Sequence, residues 1–324
     1  MGGMVDALRA RSLIHCAIHR AMTDAGVWHL DASLLAAGAP PDVGLDSFEV
    51  VGAGYLVTST EYAIKRALAA GVPSAWTWGS NFRRGEQSPT HNPEFTMLEW
   101  GVVGASLATI QRQTEALATA AAEALEAGGL LDGWWTGARC RGPWEERSVR
   151  SVVAERAGLS SDLGWVALAH GAAERLGVQV PPGAVGEDDQ ALDALTLVLD
   201  ALQPSLGAEA PLWLVDWPAG LCTSTPGDRW ATVPRVELFA RGLELGDGFP
   251  FHTDRAVATA RMLAALEDRA RLGLPAVVLD HGYLAALDAL PEGAGIALGV
   301  DRLVMALTGA PRIDDVLLSP WARR

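Results

Sequence analysis

Lysine is almost missing from this sequence. Lys65 is the single lysine among 25 Lys and Arg residues, so the basic side is carried by arginine and no lysine-rich block exists. Set against 39 acidic residues this gives a net charge of −14, a surface that repels nucleic acid unless a local basic patch intervenes. Cysteine is sparse as well. Cys16, Cys140 and Cys222 show neither C-x-x-C nor metal-ligand spacing, which excludes a disulfide framework and fits a reducing, cytoplasmic setting. No apolar run reaches the roughly 18 to 20 residues of a membrane span, and Met1 does not lead a charged-then-apolar targeting segment. Two nucleotide signatures are absent: there is no G-x-x-x-x-G-K-[ST] and no G-x-G-x-x-G. A chain like this, if it uses ATP, grips it with arginines and carboxylates.

What is present is 324 residues with 49% apolar side chains, enough for a large core in one domain or two. Ala7 to Ala25 has helical period and stops at Gly26. Tyr55 to Thr58 reads as a short strand, and Ser59 or Thr60 as the cap of a helix from Glu61 to Ala70, ended by Gly71 and Pro73. Trp76 and Trp78 alternate into Phe82, and Phe95 to Leu107 looks extended, so two strands flank a long polar loop. Gln113 to Ala127 is a helix. Residues 102–210 read as a mostly helical insertion, with loops at 137–143 and 180–190. Strands are expected at Pro211 to Asp216, Arg235 to Leu245 and Gly293 to Gly299, with helices at Arg255 to Leu272 and Val300 to Thr308. Hairpin-like strands with helical excursions indicate an α+β class with a mainly antiparallel sheet.

The chemistry concentrates in two stretches. Asn81-Phe82-Arg83-Arg84-Gly85-Glu86 runs into His91-Asn92-Pro93-Glu94-Phe95-Thr96-Met97-Leu98-Glu99-Trp100, and Gly293 to Met305 forms the second. Arg83 suits a phosphate, a carboxylate or both, and equally a surface hairpin. Phe95 offers a flat face for a base, with His91 and Glu86 in reach of polar nucleotide atoms, or else packs as an ordinary core aromatic. Glu99 lies in apolar surroundings and needs a partner, either a substrate ammonium or a structural arginine. Arg302 sits just inside a helix that follows Gly299, an anion-binding arrangement, unless it pairs with Asp301. Glu237 and Glu244 are either solvated strand residues or a carboxylate pair for Mg²⁺ beside a polyphosphate.

Together these strings resemble the catalytic core of class II aminoacyl-tRNA synthetases of the lysyl type. Within that group they are similar to the short paralogs that attach lysine or β-lysine to elongation factor P. Thr58 to Arg66, Asn81 to Arg83 with His91 to Trp100, Arg235 to Phe249, and Gly295 to Leu317 carry the resemblance. It implies one catalytic domain over residues 1–324, about six antiparallel strands flanked by helices, no anticodon-binding domain, and a homodimer. It further implies ATP and Mg²⁺, an amino-acid substrate, and elongation factor P as acceptor. Arg83 and Arg302 would be catalytic. Arg83, Glu86, His91, Asn92, Phe95, Gly299 and Arg302 would bind the nucleotide, and Glu237 and Glu244 the metal. Ser59, Glu61, Thr77, Glu99 and Ala297 would line the amino-acid pocket. A ligase loading a carrier protein or metabolite, and a silent ATP- or amino-acid-binding regulator, are the alternatives. Departures include Gly85 and Phe251, where the family carries glutamates, and Gly101 in place of a tyrosine.

Overall fold

The computed structural model describes residues 3–136, 141–181, 186–222 and 228–323; Cys140 and parts of the two loops expected at 137–143 and 180–190 lie outside the described residues. Helix α1 (Met4–Asp24) buries Ala7, Ala10, Ile14, Ile18 and Met22, one stripe at three- and four-residue spacing. Gly26 follows it at φ 71°. Strand β1 (Trp28–His29) precedes a small sheet of β2 (Leu35–Ala36), β3 (Glu49–Val50) and β4 (Gly54–Leu56). Helix α2 (Glu61–Ala69) leads through Gly71 to β5 (Ser74–Phe82), which pairs antiparallel with β6 (Glu94–Val103).

The extended reading of Phe95 to Leu107 runs too far. Strand β6 ends at Val103, and Ser106 starts helix α3 (Leu107–Ala127) by accepting a hydrogen bond from the Thr109 amide at 3.3 Å. Beyond it come β7 (Glu145–Ser148), α4 (Val149–Ala157), α5 (Trp165–Leu176), α6 (Glu187–Leu202), β8 (Leu212–Pro218) and β9 (Thr232–Ala240). The single strand expected over Arg235 to Leu245 is broken at Arg241 and Gly242, with φ of 56° and 74°. Two successive left-handed residues are what a tight I′ hairpin turn requires, and β10 (Leu243–Pro250) starts after them. Helices α7 (Arg255–Arg271) and α8 (His281–Ala286), strand β11 (Gly293–Gly299) and helix α9 (Val300–Thr308) complete the chain.

Two compact units divide the chain, residues 1–143 with 245–324, and residues 144–244. Strands of the first unit lie in the order β1-β5-β6-β11-β10, with β1 parallel to β5 and the other pairs antiparallel. Trp100 points to α3, where its indole N–H donates to Gln113 at 3.0 Å. On the opposite face Ala75 packs with Ile64 and Leu68 of α2 and with Tyr283 and Leu284 of α8. In the second unit the order is β9-β8-β7, and α4, α5 and α6 bury Val152, Leu168 and Leu195 in one core with Leu214 and Phe239. Residues 102–210 thus hold α3 in the first unit and β7 with α4 to α6 in the second. The architecture is α+β, with parallel pairing confined, among the described residues, to β1/β5 and β7/β8.

Candidate active site

Pairing of β5 with β6 sets Asn81 opposite Phe95, so Arg83 emerges beside the aromatic ring from the facing strand. Its guanidinium carbon lies 5.1 Å from the Phe95 centroid, a cation–π distance. Arg83 Nε donates to the Thr58 carbonyl at 3.3 Å, and Nη1 stands 3.6 Å from Glu86 Oε1. Among the described residues Nη2 makes no hydrogen bond. Gly85, in the same loop, sits at φ 84°, where any other side chain would be strained.

Arg302, near the N-terminus of α9, reaches that loop from the far end of the sequence. Its Nη2 donates to His91 Nε2 at 2.6 Å and its Nε to the Thr90 carbonyl at 3.3 Å. Because a guanidinium only donates, His91 Nε2 must be the acceptor and Nδ1 carries the proton, which goes to Ser88 Oγ at 2.8 Å. Burial and the adjacent Arg302 lower the His91 pKa below its ordinary value, consistent with this neutral tautomer. Asp301 is not the partner of Arg302. It pairs with Arg11 and accepts the Thr96 amide at 2.7 Å, which pins α9 to β6.

Three of the residues expected to line the amino-acid pocket stand in one row across the sheet. Thr77, Glu99, Ala297 and Asp247 are consecutive register partners on β5, β6, β11 and β10. Glu99 is only 3% exposed, and both of its oxygens are engaged. Ser59 Oγ donates to Oε2 at 2.7 Å, while the Thr60 amide and hydroxyl donate to Oε1 at 2.6 and 2.9 Å. With the Thr60 proton on Glu99, the 2.5 Å contact between Thr60 and Thr77 is a bond donated by Thr77. Burial raises the Glu99 pKa, and the Ser59 and Thr60 donors oppose that rise. Thr60 therefore caps α2 in position only, its hydroxyl being turned into the pocket.

Two departures from the family pattern meet in space. A Cβ on Gly101 would lie 2.9 Å from the Phe251 ring, and one on Gly293 would lie 2.8 Å from the same ring. Phe251 fills the volume a side chain at 101 would need. Gly299 is different, since a Cβ would meet only ordinary contacts at 3.7 Å and beyond. Asn92 is buried, donates to the Glu94 carbonyl and accepts the Trp321 amide at 2.8 Å. It holds the loop to the C-terminal segment, a role no local string announced. Asp247 and Thr60 were also missed; alternation back from Phe249 along β10 places Asp247 on the pocket face.

Arginines, an aromatic face and a neutral histidine fit the phosphates and base of ATP. Glu237 and Glu244 lie in the second unit, on a cavity of about 260 Å³ also lined by Arg235, Asp200 and Trp217. Arg235 pairs with Glu237 at 2.6 Å and stacks over Trp217 at 4.6 Å. Glu237 is thus engaged by an arginine, and Glu244 lies on the same cavity. Among the described residues no group of three or more His, Cys, Asp or Glu could hold a metal. Mg²⁺ at nucleotides needs only one or two protein carboxylates, since phosphates and waters complete its shell.

The sequence profile of the tRNA synthetases class II (D, K and N) matches residues 3–323. The chain is 30% identical over 329 aligned residues to the elongation factor P–(R)-β-lysine ligase of Edwardsiella ictaluri, covering 97% of this chain and 94% of that protein. It is 32% identical to the ligase of the same name from Salmonella arizonae, with 97% and 94% covered, and 30% identical to that of Vibrio cholerae, with 98% and 96% covered. With a strand–loop–strand carrying Arg83 and Phe95, a β11–α9 junction carrying Arg302, and a match over nearly its whole length, the chain belongs to the class II tRNA synthetase family of the D, K and N group.

Proposed function

We propose that this chain activates an amino acid with ATP and hands the acyl group to a protein amine. A carboxylate oxygen of the amino acid bonds to the α-phosphorus while pyrophosphate leaves. A neutral amine then attacks the acyl carbon, AMP leaves, and the spare proton goes to solvent. Arg83 holds the α-phosphate and the incoming carboxylate, stabilising charge as it develops. Phe95 and Arg302 flank the base, and His91 and Glu86 serve the phosphate end. Mg²⁺ bound with the nucleotide would neutralise phosphate charge. Positioning supplies much of the rate, and no covalent enzyme intermediate is needed.

The names of the relatives favour (R)-β-lysine as the amino acid and elongation factor P as the acceptor; this reading takes the amino acid as lysine, β-lysine or a relative with a terminal amine, and the acceptor group as a lysine. Ser59, Glu61, Thr77, Glu99 and Ala297 form the pocket in this reading. The observation that carries it is the convergence of Arg83, Phe95, His91 and Arg302 at one loop beside that pocket. Pyrophosphate exchange over a panel of amino acids, including both lysine isomers and ornithine, tests it. Exchange with at least one amine-bearing amino acid is expected. ATP binding without pyrophosphate release would favour a silent binding module instead.

A further inference from the structure

Lys65 is the chain's sole lysine, and it is 4% exposed. All other Lys or Arg positions in this sequence are arginine, so the one lysine stands at a buried position. The surroundings explain why. The Lys65 ammonium lies 5.7 Å from the Phe249 centroid, 5.9 Å from Phe251 and 5.8 Å from Tyr283, so three rings surround this compact cation. It is paired with Glu61, four residues back on the same helix, and the Tyr283 hydroxyl also favours its charged form. Burial pulls the ammonium toward neutrality, yet Glu61 and Tyr283 outweigh it and hold the group charged.

The box is itself fixed from outside. Asp280 accepts the Tyr283 amide at 2.8 Å and pairs with Arg66, and Tyr62 stacks on Tyr283 at 3.7 Å. Glu61 adjoins Ser59 and Thr60, the residues that hold Glu99, and its own amide donates to Ser59 Oγ at 3.0 Å. Only Oε1 of Glu61 goes to Lys65; among the described residues Oε2 makes no hydrogen bond.

We propose that Lys65 is a positioning residue for the amino-acid pocket, fixing one oxygen of Glu61 so that the other meets an ammonium of the substrate. This rests on amino-acid activation at the site, as proposed above. Lysine is required because a guanidinium would not leave Glu61 Oε2 unclaimed, its fork taking both oxygens.

Pyrophosphate exchange by the full chain tests this, with KM for amino acid and for ATP measured separately. Lys65→Ala and Lys65→Arg should each raise the amino-acid KM about tenfold or more, with the ATP KM within about twofold. Added n-propylammonium, the fragment Lys65→Ala deletes, should bring that KM back toward wild type, and 1-propanol should not. A wild-type amino-acid KM in Lys65→Arg, or equal rises in both KM values, overturns the proposal. Should Lys65→Ala not fold, Tyr283→Phe reads the same box, and an unchanged amino-acid KM there is equally decisive against it. Absence of exchange in the wild type would remove the proposed function and this inference together; exchange in the wild type with indifferent variants removes this inference alone.

Discussion

Arg83 touches Phe95, Thr58 and Glu86, so its removal strips charge from the place where the α-phosphate is proposed to sit. Arg83→Ala should lower exchange by roughly 10²- to 10³-fold, and Arg83→Lys should recover only part, lacking the fork. His91 gives a pH prediction. Its folded-state pKa is lowered, so the unfolded chain takes up a proton first, and the contribution to stability is complete above about pH 6.5 and lost as pH falls toward the folded value. His91→Gln keeps an acceptor for Arg302 without titrating, so its melting temperature should fall less steeply than wild type between about pH 7 and 5. Equal slopes would show that His91 is not the group responsible. Arg83, His91, Phe95, Glu99 and Arg302 were legible because they stand in contiguous strings that fold into one place. Asn92, expected at the nucleotide, has a partner the sequence did not show, since its side-chain oxygen accepts from the Trp321 amide, 229 residues away. Lys65 and Asp247 needed tertiary information, the first because three rings from distant segments surround it, the second because only strand register puts it beside Ala297.

At the level of elements, the sequence located β11 and α9 to the residue, because glycines punctuate the strand and an apolar stripe begins at Val300. It failed at two junctions for one reason, that a turn or cap is a single-residue event inside an apolar pattern. Arg241-Gly242 interrupts a run of alternating residues, and Ser106 starts a helix where the pattern still looks extended. Both junctions are testable. Gly242 has φ 74°, and a Cβ there would come within 2.8 Å of the Pro204 carbonyl oxygen, so Gly242→Ala should cost about 1–2 kcal/mol or more. A urea midpoint unchanged by that substitution would contradict the turn. Ser106→Ala removes a helix cap and should cost about 1 kcal/mol with exchange unaffected.

For the molecule as a whole, Trp28 at 57%, Leu35 at 45% and Val51 at 92% exposure leave apolar groups in solvent on the first unit. Among the described residues no helix is long and apolar enough to cross a membrane. A second copy of the chain is the proposed cover for such groups, in keeping with a family reading of a homodimer. Light scattering should then give twice the 34.1 kDa chain mass, and a monomer mass at every concentration would remove the claim. The central claim is that ATP drives an amino acid onto a protein amine, and one incubation addresses it. The full chain, Mg²⁺, ATP and (R)-β-lysine or lysine are mixed with purified elongation factor P, and AMP release is read alongside the intact mass of the factor. One AMP per acyl group is expected, with a mass gain of one amino-acid residue that disappears with Arg83→Ala. AMP production with an unchanged factor mass would contradict the acceptor, and no AMP with any amine-bearing amino acid would contradict the activation itself.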